Sequence, residues 1–338
     1  MASIETLIHK LTEFEHVVIT THANPDADAL GSSLGLYHFL IARGHKVTIV
    51  TPTDYPDFIS WLPGNQEVLK FGSNTDHLIK EIIDQASLIF CLDFSGLDRL
   101  QDLSELVKNA TAKKVMIDHH LEPENFDNYR LWDTRAAATA ELIYDFILMV
   151  ANREAISADI ANCLYAGIMT DTGSFRHSNT TSKVHRTVAD LIDLGANVTK
   201  VSSAIYDTNS LNRLRFIGFS LLEKLIVHQD LNIAYFVISE KDINQFELQK
   251  GDTEGLVNYA LSISGIVMAA LIKESENKVK LSLRSVGDYS VNKFARDHFN
   301  GGGHKNAAGG VSYLSLDKTI LKFETALVDF KEKYKLKS

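Results

Sequence analysis

The sequence holds only two cysteines, Cys91 and Cys163, in 338 residues. Two thiols cannot build a disulfide framework. Both lie in apolar stretches and read as buried free cysteines, which makes the cytoplasm the expected address. No apolar run approaches the ~18 residues needed to span a bilayer, so no membrane association is expected. Met1-Ala2-Ser3-Ile4-Glu5 shows no basic segment followed by an apolar one, so no secretory leader is expected. A basic excess is missing too: 34 Lys and Arg stand against 43 Asp and Glu, a net charge of −9. Proteins that grip long duplex nucleic acid carry clustered Lys and Arg, whereas here these residues are scattered. The substrate should therefore be small, or held at only a few phosphates. Internal repeats and low-complexity tracts are absent as well.

What remains is an ordinary globular composition, 45 % hydrophobic and 23 % charged. The length suggests two domains at roughly 100–200 residues each. Residues 16–21, 46–50, 87–93 and 114–118 read as buried strands. Helical patterns cover 28–42, 138–150, 157–169, 183–194 and 210–225. Strands alternating with helices give an α/β fold with a mostly parallel sheet flanked by helices. A connector at about 195–210 separates this half from a different pattern. Beyond it come a strand pair at 225–229 and 233–239, a hairpin at 266–273 and 278–285, and a short helix at 291–298. A glycine-rich loop at 300–310 and a helix at 316–334 complete a smaller α+β domain.

In parallel sheets ligands gather beyond the carboxyl ends of the strands, and acidic and imidazole residues concentrate there. His22, Asp26 and Asp28 fall in one turn after the first strand, stiffened by Pro25. An aspartate before a helix is also a common cap. Asp93 ends an apolar strand. Asp118, His119 and His120 end another, and Asp171 lies in Thr170-Asp171-Thr172-Gly173, directly after the helix read over 157–169. Any one cluster is weak evidence, but four at one sheet edge call for compensation of crowded carboxylates. Imidazoles with carboxylates suit Mn²⁺, and Mg²⁺ less fully. There are donors enough for two cations, an arrangement that serves in-line displacement at phosphorus.

Taken in order, these motifs resemble those of the DHH phosphoesterases. The subgroup resembled carries a DHHA1 domain and includes NrnA-like nano-RNases, bifunctional oligoribonucleases and pAp phosphatases. Gly301-Gly302-Gly303-His304 with Ala307-Ala308-Gly309-Gly310 resembles the DHHA1 signature. The resemblance implies that His22 and Asp26 hold one metal, that Asp28, His119 and Asp171 hold the other, and that Asp93 bridges them. It implies that Asp118 orients His119 from behind, and that His120 meets the scissile phosphate. Gly302, Gly303 and His304 would bind substrate across a cleft between the domains. Arg284 and, more weakly, Asn258 are further substrate-binding candidates, and Arg176 could meet phosphate or pair with local acids. The expected domains are a catalytic DHH domain at 1–195, a connector at 196–215 and a DHHA1 domain at 216–338. Ala27 and Asn300 stand where many relatives have Gly, and neither change removes a ligand.

The expected activity is metal-dependent hydrolysis of short oligoribonucleotides from one end, of 3′-phosphoadenosine 5′-phosphate (pAp), or of both. Cyclic-di-AMP or linear dinucleotides are the alternative substrates. A manganese pyrophosphatase would bring a Ser-Arg-Lys-type motif to the second domain, which is not found. A non-catalytic nucleotide sensor would be expected to have lost a ligand such as Asp93 or His119. Trp61 and Trp132 read as packing residues, with Trp132 close enough to the third motif to stay open. A homodimer is left open.

Overall fold

The computed structural model describes residues 4–72, 74–249 and 251–334. Its N-terminal half is built on the apolar runs. They form the strands β1 (His16–Thr21), β2 (Lys46–Thr51), β3 (Val68–Lys70), β4 (Leu88–Leu92), β5 (Lys113–Asp118) and β6 (Tyr129–Trp132). All neighbours pair in parallel, in the order β3-β2-β1-β4-β5-β6. The helices are α1 (Ile4–Lys10), α2 (Ala27–Ala42), α3 (Asp76–Gln85), α4 (Ser104–Asn109), α5 (Thr139–Val150), α6 (Ala158–Asp171), α7 (Ser182–Asp193) and α8 (Val198–Tyr206).

Both faces of this sheet are covered, which explains runs without polar alternation. Val17, Ile19, Leu88, Phe90, Leu92, Val115 and Ile117 join a core with α2, α5, α6 and α7. Val18, Ile89 and Cys91 point the other way, to α3 and α4. Cys91 and Cys163 are free and buried, and burial pushes both thiols well up. Residues 195–210, read from sequence as a connector, contain α8, whose Val201 and Ile205 are buried in this core.

The chain divides into two units between Thr208 and Asn209. The second contains α9 (Leu211–Phe219), α10 (Glu240–Gln245), α11 (Leu256–Leu261), α12 (Val291–Phe299) and α13 (Leu316–Tyr334). The helix read over 210–225 stops at Phe219 and continues as a wider turn, Ser220–Lys224. The strands are β7 (Leu225–His228), β8 (Ile233–Ile238), β9 (Met268–Ser275), β10 (Lys278–Ser285), β11 (Gly302–His304) and β12 (Ala307–Ser312). They form a second sheet in the order β11-β12-β10-β9-β8-β7, antiparallel except for the parallel pair β8–β9. One face packs Val279, Leu281 and Leu283 against Phe294, Phe299 and Phe323 of α12 and α13. The other face buries Phe236 and Leu271 under Phe216, Leu256 and Val257. No helix among the described residues is long and apolar enough to cross a membrane.

Candidate metal centre

In this strand order β1 and β4 are central neighbours, and the chain leaves them toward opposite edges of the sheet. That is the switch point at which an open parallel sheet forms a crevice beyond its strand ends. His22 follows β1, Asp93 follows β4, and Asp118, His119 and His120 end and follow β5. Asp93 adopts a left-handed backbone, φ 66°, an uncommon conformation for a non-glycine residue that concentrates at functional sites.

Two helices complete the cluster. Asp26 caps α2, its Oδ1 accepting from the Asp28 and Ala29 amides at 3.0 Å each. The capping role is thus real, and Asp26 still lies with His22 and Asp93 in one donor group whose ligand atoms fall within 4.8 Å of one another. Asp28 is fully buried in the first turn of α2. Its carboxylate accepts from the Thr139 amide at 2.6 Å and the Ala140 amide at 2.9 Å, at the start of α5. Gly167 on α6 leaves room for it, since a β-carbon there would lie 2.7 Å from Asp28 Oδ1 and 2.8 Å from Ala140 Cβ. Asp171, the last residue of α6, joins Asp28 and His119 in a second such group.

Asp93 faces both groups. Its Oδ2 lies 3.4 Å from His22 Nε2 and its Oδ1 lies 3.5 Å from His119 Nε2. His119 Nε2 is also 3.3 Å from Asp171 and 3.8 Å from Asp28. Both imidazoles are held from behind by backbone: His22 Nδ1 donates to the Ala23 carbonyl at 2.9 Å and His119 Nδ1 to the Ala136 carbonyl at 3.2 Å. These bonds leave Nε2 of each ring as the ligating atom. Asp118 does not orient His119. Its Oδ1 pairs with His120 Nδ1 at 2.8 Å, because the two side chains fall on the same side of the strand end. Asp118 Oδ2 is buried and has no hydrogen-bond partner among the described residues. His120 is fixed again through its carbonyl, which accepts from Trp132 Nε1 at 2.7 Å.

Without a cation the cluster is short of positive charge. Burial, then the Asp93 and Asp171 charges, push Asp28 well up. Burial and the Asp26 and Asp93 charges push Asp171 up to about 7, against the opposing pull of His119. Burial pulls His22 down, but Asp93 and Asp26 outweigh it and hold it at about 9. Asp93 is the exception: burial would raise it, yet His119, His22 and His120 together hold it well below the usual range. Crowded carboxylates with imidazole nitrogens aimed among them fit a divalent cation.

Sequence reading missed the residues that position this cluster. Thr139 Oγ1 donates to Asp93 Oδ1 at 2.8 Å. Asn179 Nδ2 donates to the Ala137 and Asp171 carbonyls at 3.1 and 3.3 Å. Buried Glu141 accepts from the Ala137 amide at 2.8 Å and faces Lys183 at 3.1 Å. The small-residue run Ala136-Ala137-Ala138-Thr139-Ala140 before a helix was the available signal. Arg176, a phosphate candidate from sequence, donates its Nε–H to the Gly173 carbonyl at 2.8 Å.

In the second unit the glycine run is not a loop. Gly302, Gly303 and His304 form β11, paired with Gly309, Ala308 and Ala307. Gly303 has φ +141°, and a β-carbon there would meet the Ala307 carbonyl oxygen at 2.6 Å. The glycines therefore let an edge strand approach β12 closely. Arg284 and His304 both pair with Ala307, from opposite sides. Paired residues share a sheet face, so the two side chains flank a methyl group. Asn258 is exposed on α11.

Two domain signatures match the chain: DHH family, N-terminal domain, over residues 16–168, and DHHA1 domain over residues 230–332. The protein belongs to the DHH family and carries a DHHA1 domain. The chain is 29 % identical over 319 residues to a "Probable bifunctional oligoribonuclease and PAP phosphatase NrnA" of Streptococcus mutans, covering 93 % of this chain and 94 % of that protein. It is 28 % identical over 324 residues to the Bacillus subtilis bifunctional oligoribonuclease and PAP phosphatase NrnA, covering 94 % and 97 %. A crystal structure of an exopolyphosphatase-related protein from Bacteroides fragilis superposes with a TM-score of 0.93 at 35 % identity, covering 98 % of this chain and 97 % of that one.

Proposed function

We propose that this chain is a metal-dependent phosphoesterase that hydrolyses short oligoribonucleotides from one end, pAp, or both. The observation that carries the reading is the double donor set. His22, Asp26 and Asp93 form one group, Asp28, His119 and Asp171 form another, and Asp93 directs one oxygen toward each. His22 and Asp26 would hold one divalent cation and Asp28, His119 and Asp171 a second, with Asp93 shared. The mixed imidazole and carboxylate donors favour Mn²⁺ over Mg²⁺. When bound, such cations supply Lewis acidity and lower the pKa of water.

The protein's own groups have distinct tasks. The α5 amides and the Thr139 hydroxyl fix the carboxylates of Asp28 and Asp93, so no reorganisation is needed as charge develops. His120, held by Asp118 and Trp132, stands beside Asp93 with Nδ1 3.7 Å from its carboxylate. Its role is to neutralise charge on the reacting phosphate. Arg284, His304 and the backbone of Gly302 and Gly303 hold a substrate phosphate, with Asn258 assisting. The names of the relatives, oligoribonuclease and PAP phosphatase, support this substrate class.

The test is product release from a labelled 5-mer RNA and from pAp, with Mn²⁺ and with a chelator. Metal-dependent release of mononucleotide or phosphate is expected. If neither substrate is turned over, with cyclic-di-AMP, pyrophosphate and polyphosphate also inert, the hydrolase reading fails and a nucleotide sensor takes its place.

A further inference from the structure

Residues 136–140, the turn into α5, carry the supports of one donor group. The Ala136 carbonyl accepts from His119 Nδ1 at 3.2 Å. The Thr139 and Ala140 amides hold the Asp28 carboxylate at 2.6 and 2.9 Å, and the Thr139 hydroxyl holds Asp93 at 2.8 Å. His22 and Asp26 are supported elsewhere, by the Ala23 carbonyl and by the first amides of α2.

The turn is itself gripped at one residue. Ala137 is fully buried. Its amide donates to Glu141 Oε2 at 2.8 Å, and its carbonyl accepts from Asn179 Nδ2 at 3.1 Å. Glu141 is 1 % exposed, and its other oxygen faces Lys183 Nζ at 3.1 Å. A carboxylate so buried stays charged only when paired. Lys183 supplies the pair from α7, and its ammonium also meets Asp145 at 2.6 Å. Asn179 donates a second bond, at 3.3 Å, to the Asp171 carbonyl. One short segment, 179–183, therefore reaches the amide of Ala137 through Glu141, its carbonyl directly, and the backbone of Asp171.

We infer that Asn179 and Lys183, neither of which bonds to a ligand side chain among the described residues, are positioning residues that set the cation affinity of the Asp28–His119–Asp171 group alone. Releasing Ala137 lets the supports at Ala136, Thr139 and Ala140 shift together, so Asp28 and His119 lose their fixed spacing to Asp171. The His22–Asp26 position feels this only through the shared Asp93. The two cation positions are thus tuned separately, one of them from a half-exposed lysine on α7. The inference rests on reading the cluster as a site for two cations.

The test is Mn²⁺ titration into the chelator-treated full-length chain, with folding followed by circular dichroism. Wild type, Lys183→Met, Asn179→Ala and the double variant are compared. Lys183→Met keeps the apolar stem and removes the charge. Residues that support ligands from outside are worth about 10- to 100-fold in metal affinity, and a step further out the low end applies. Each single variant should weaken one of the two ions about tenfold, with the other nearly unchanged. The double variant should lose little more than either single one, because both act on Ala137, whereas independent effects would multiply to about 100-fold. Wild-type affinity in both single variants, equal weakening of both ions, or losses that multiply overturn the inference and leave the hydrolase reading standing. If Lys183→Met does not fold, Asn179→Ala decides alone by the same one-ion criterion. A wild type that binds fewer than two Mn²⁺ ions overturns the two-cation reading and this inference together.

Discussion

Replacing Thr139 by valine removes one hydroxyl and keeps the side-chain shape. That hydroxyl donates to Asp93 Oδ1 at 2.8 Å, and Asp93 is 2 % exposed while Thr139 is fully buried. Water cannot substitute easily for the lost donor. A hydrogen bond to a charged group contributes about 1.5–3 kcal/mol, and about 1.4 kcal/mol is tenfold in an equilibrium or a rate. The loss should therefore be about 10- to 100-fold, the same range expected when a residue supporting metal ligands is removed. The Thr139 amide bond to Asp28 survives in the variant, so the effect should fall on Asp93 alone. The assay is Mn²⁺ titration of chelator-treated protein, alongside turnover of pAp as a function of Mn²⁺. Thr139→Ser restores the hydroxyl and should recover most of the loss. If Thr139→Val binds Mn²⁺ and turns over substrate as wild type does, or if Thr139→Ser is no better than Thr139→Val, the positioning role is wrong.

Gly167→Ala puts a methyl 2.7 Å from Asp28 Oδ1; it should weaken Mn²⁺ binding more than tenfold and cost about 1–3 kcal/mol by overpacking, read by titration and urea unfolding, and normal metal affinity would contradict the packing argument. Asp118→Asn should lower kcat by about 10- to 100-fold with Mn²⁺ affinity nearly unchanged, because His119 is held by Ala136 and not by Asp118; a drop confined to metal affinity would restore the role expected from sequence. In the second unit, Asp242 pairs with Lys224 at 2.8 Å and with Ser239 at the start of α10. Burial would raise its pKa, but Lys224 and Ser239 outweigh that and hold it low. Its contribution is then present above the unfolded value of about 3.9 and lost as pH falls through the lower folded value. Asp242→Asn should cost about 1–2 kcal/mol at pH 7, with the difference from wild type shrinking below about pH 4; a constant difference down to pH 2 would refute the linkage.

The metal-ligand candidates were legible because each is an Asp or His at the end of an apolar run or of a helix. Strand ends of a parallel sheet share one edge, so chain order alone places His22, Asp93 and His119 there. The hairpin of β9 and β10 and the span of α13 were readable for a similar reason: long, strongly periodic segments leave little choice. What failed to show was short or made by backbone. β3 and β6 have three and four residues and are largely half-exposed, too little pattern to mark a strand. The donors to Asp28 are amides, which have no sequence signature. Spacing could not tell whether Asp118 turns toward His119 or His120, since the choice depends on which side of the strand end each ring leaves. The glycine run read as a loop because glycine usually marks flexibility, whereas here the missing β-carbons admit an edge strand against β12.

The most direct measurement is Mn²⁺ stoichiometry by titration into chelator-treated wild-type protein and the Asp93→Ala variant, with folding checked by circular dichroism. The account expects two ions per wild-type chain and loss of tight binding at both positions in Asp93→Ala, with turnover abolished. A single ion in the wild type, or undiminished binding or turnover in Asp93→Ala, would contradict it.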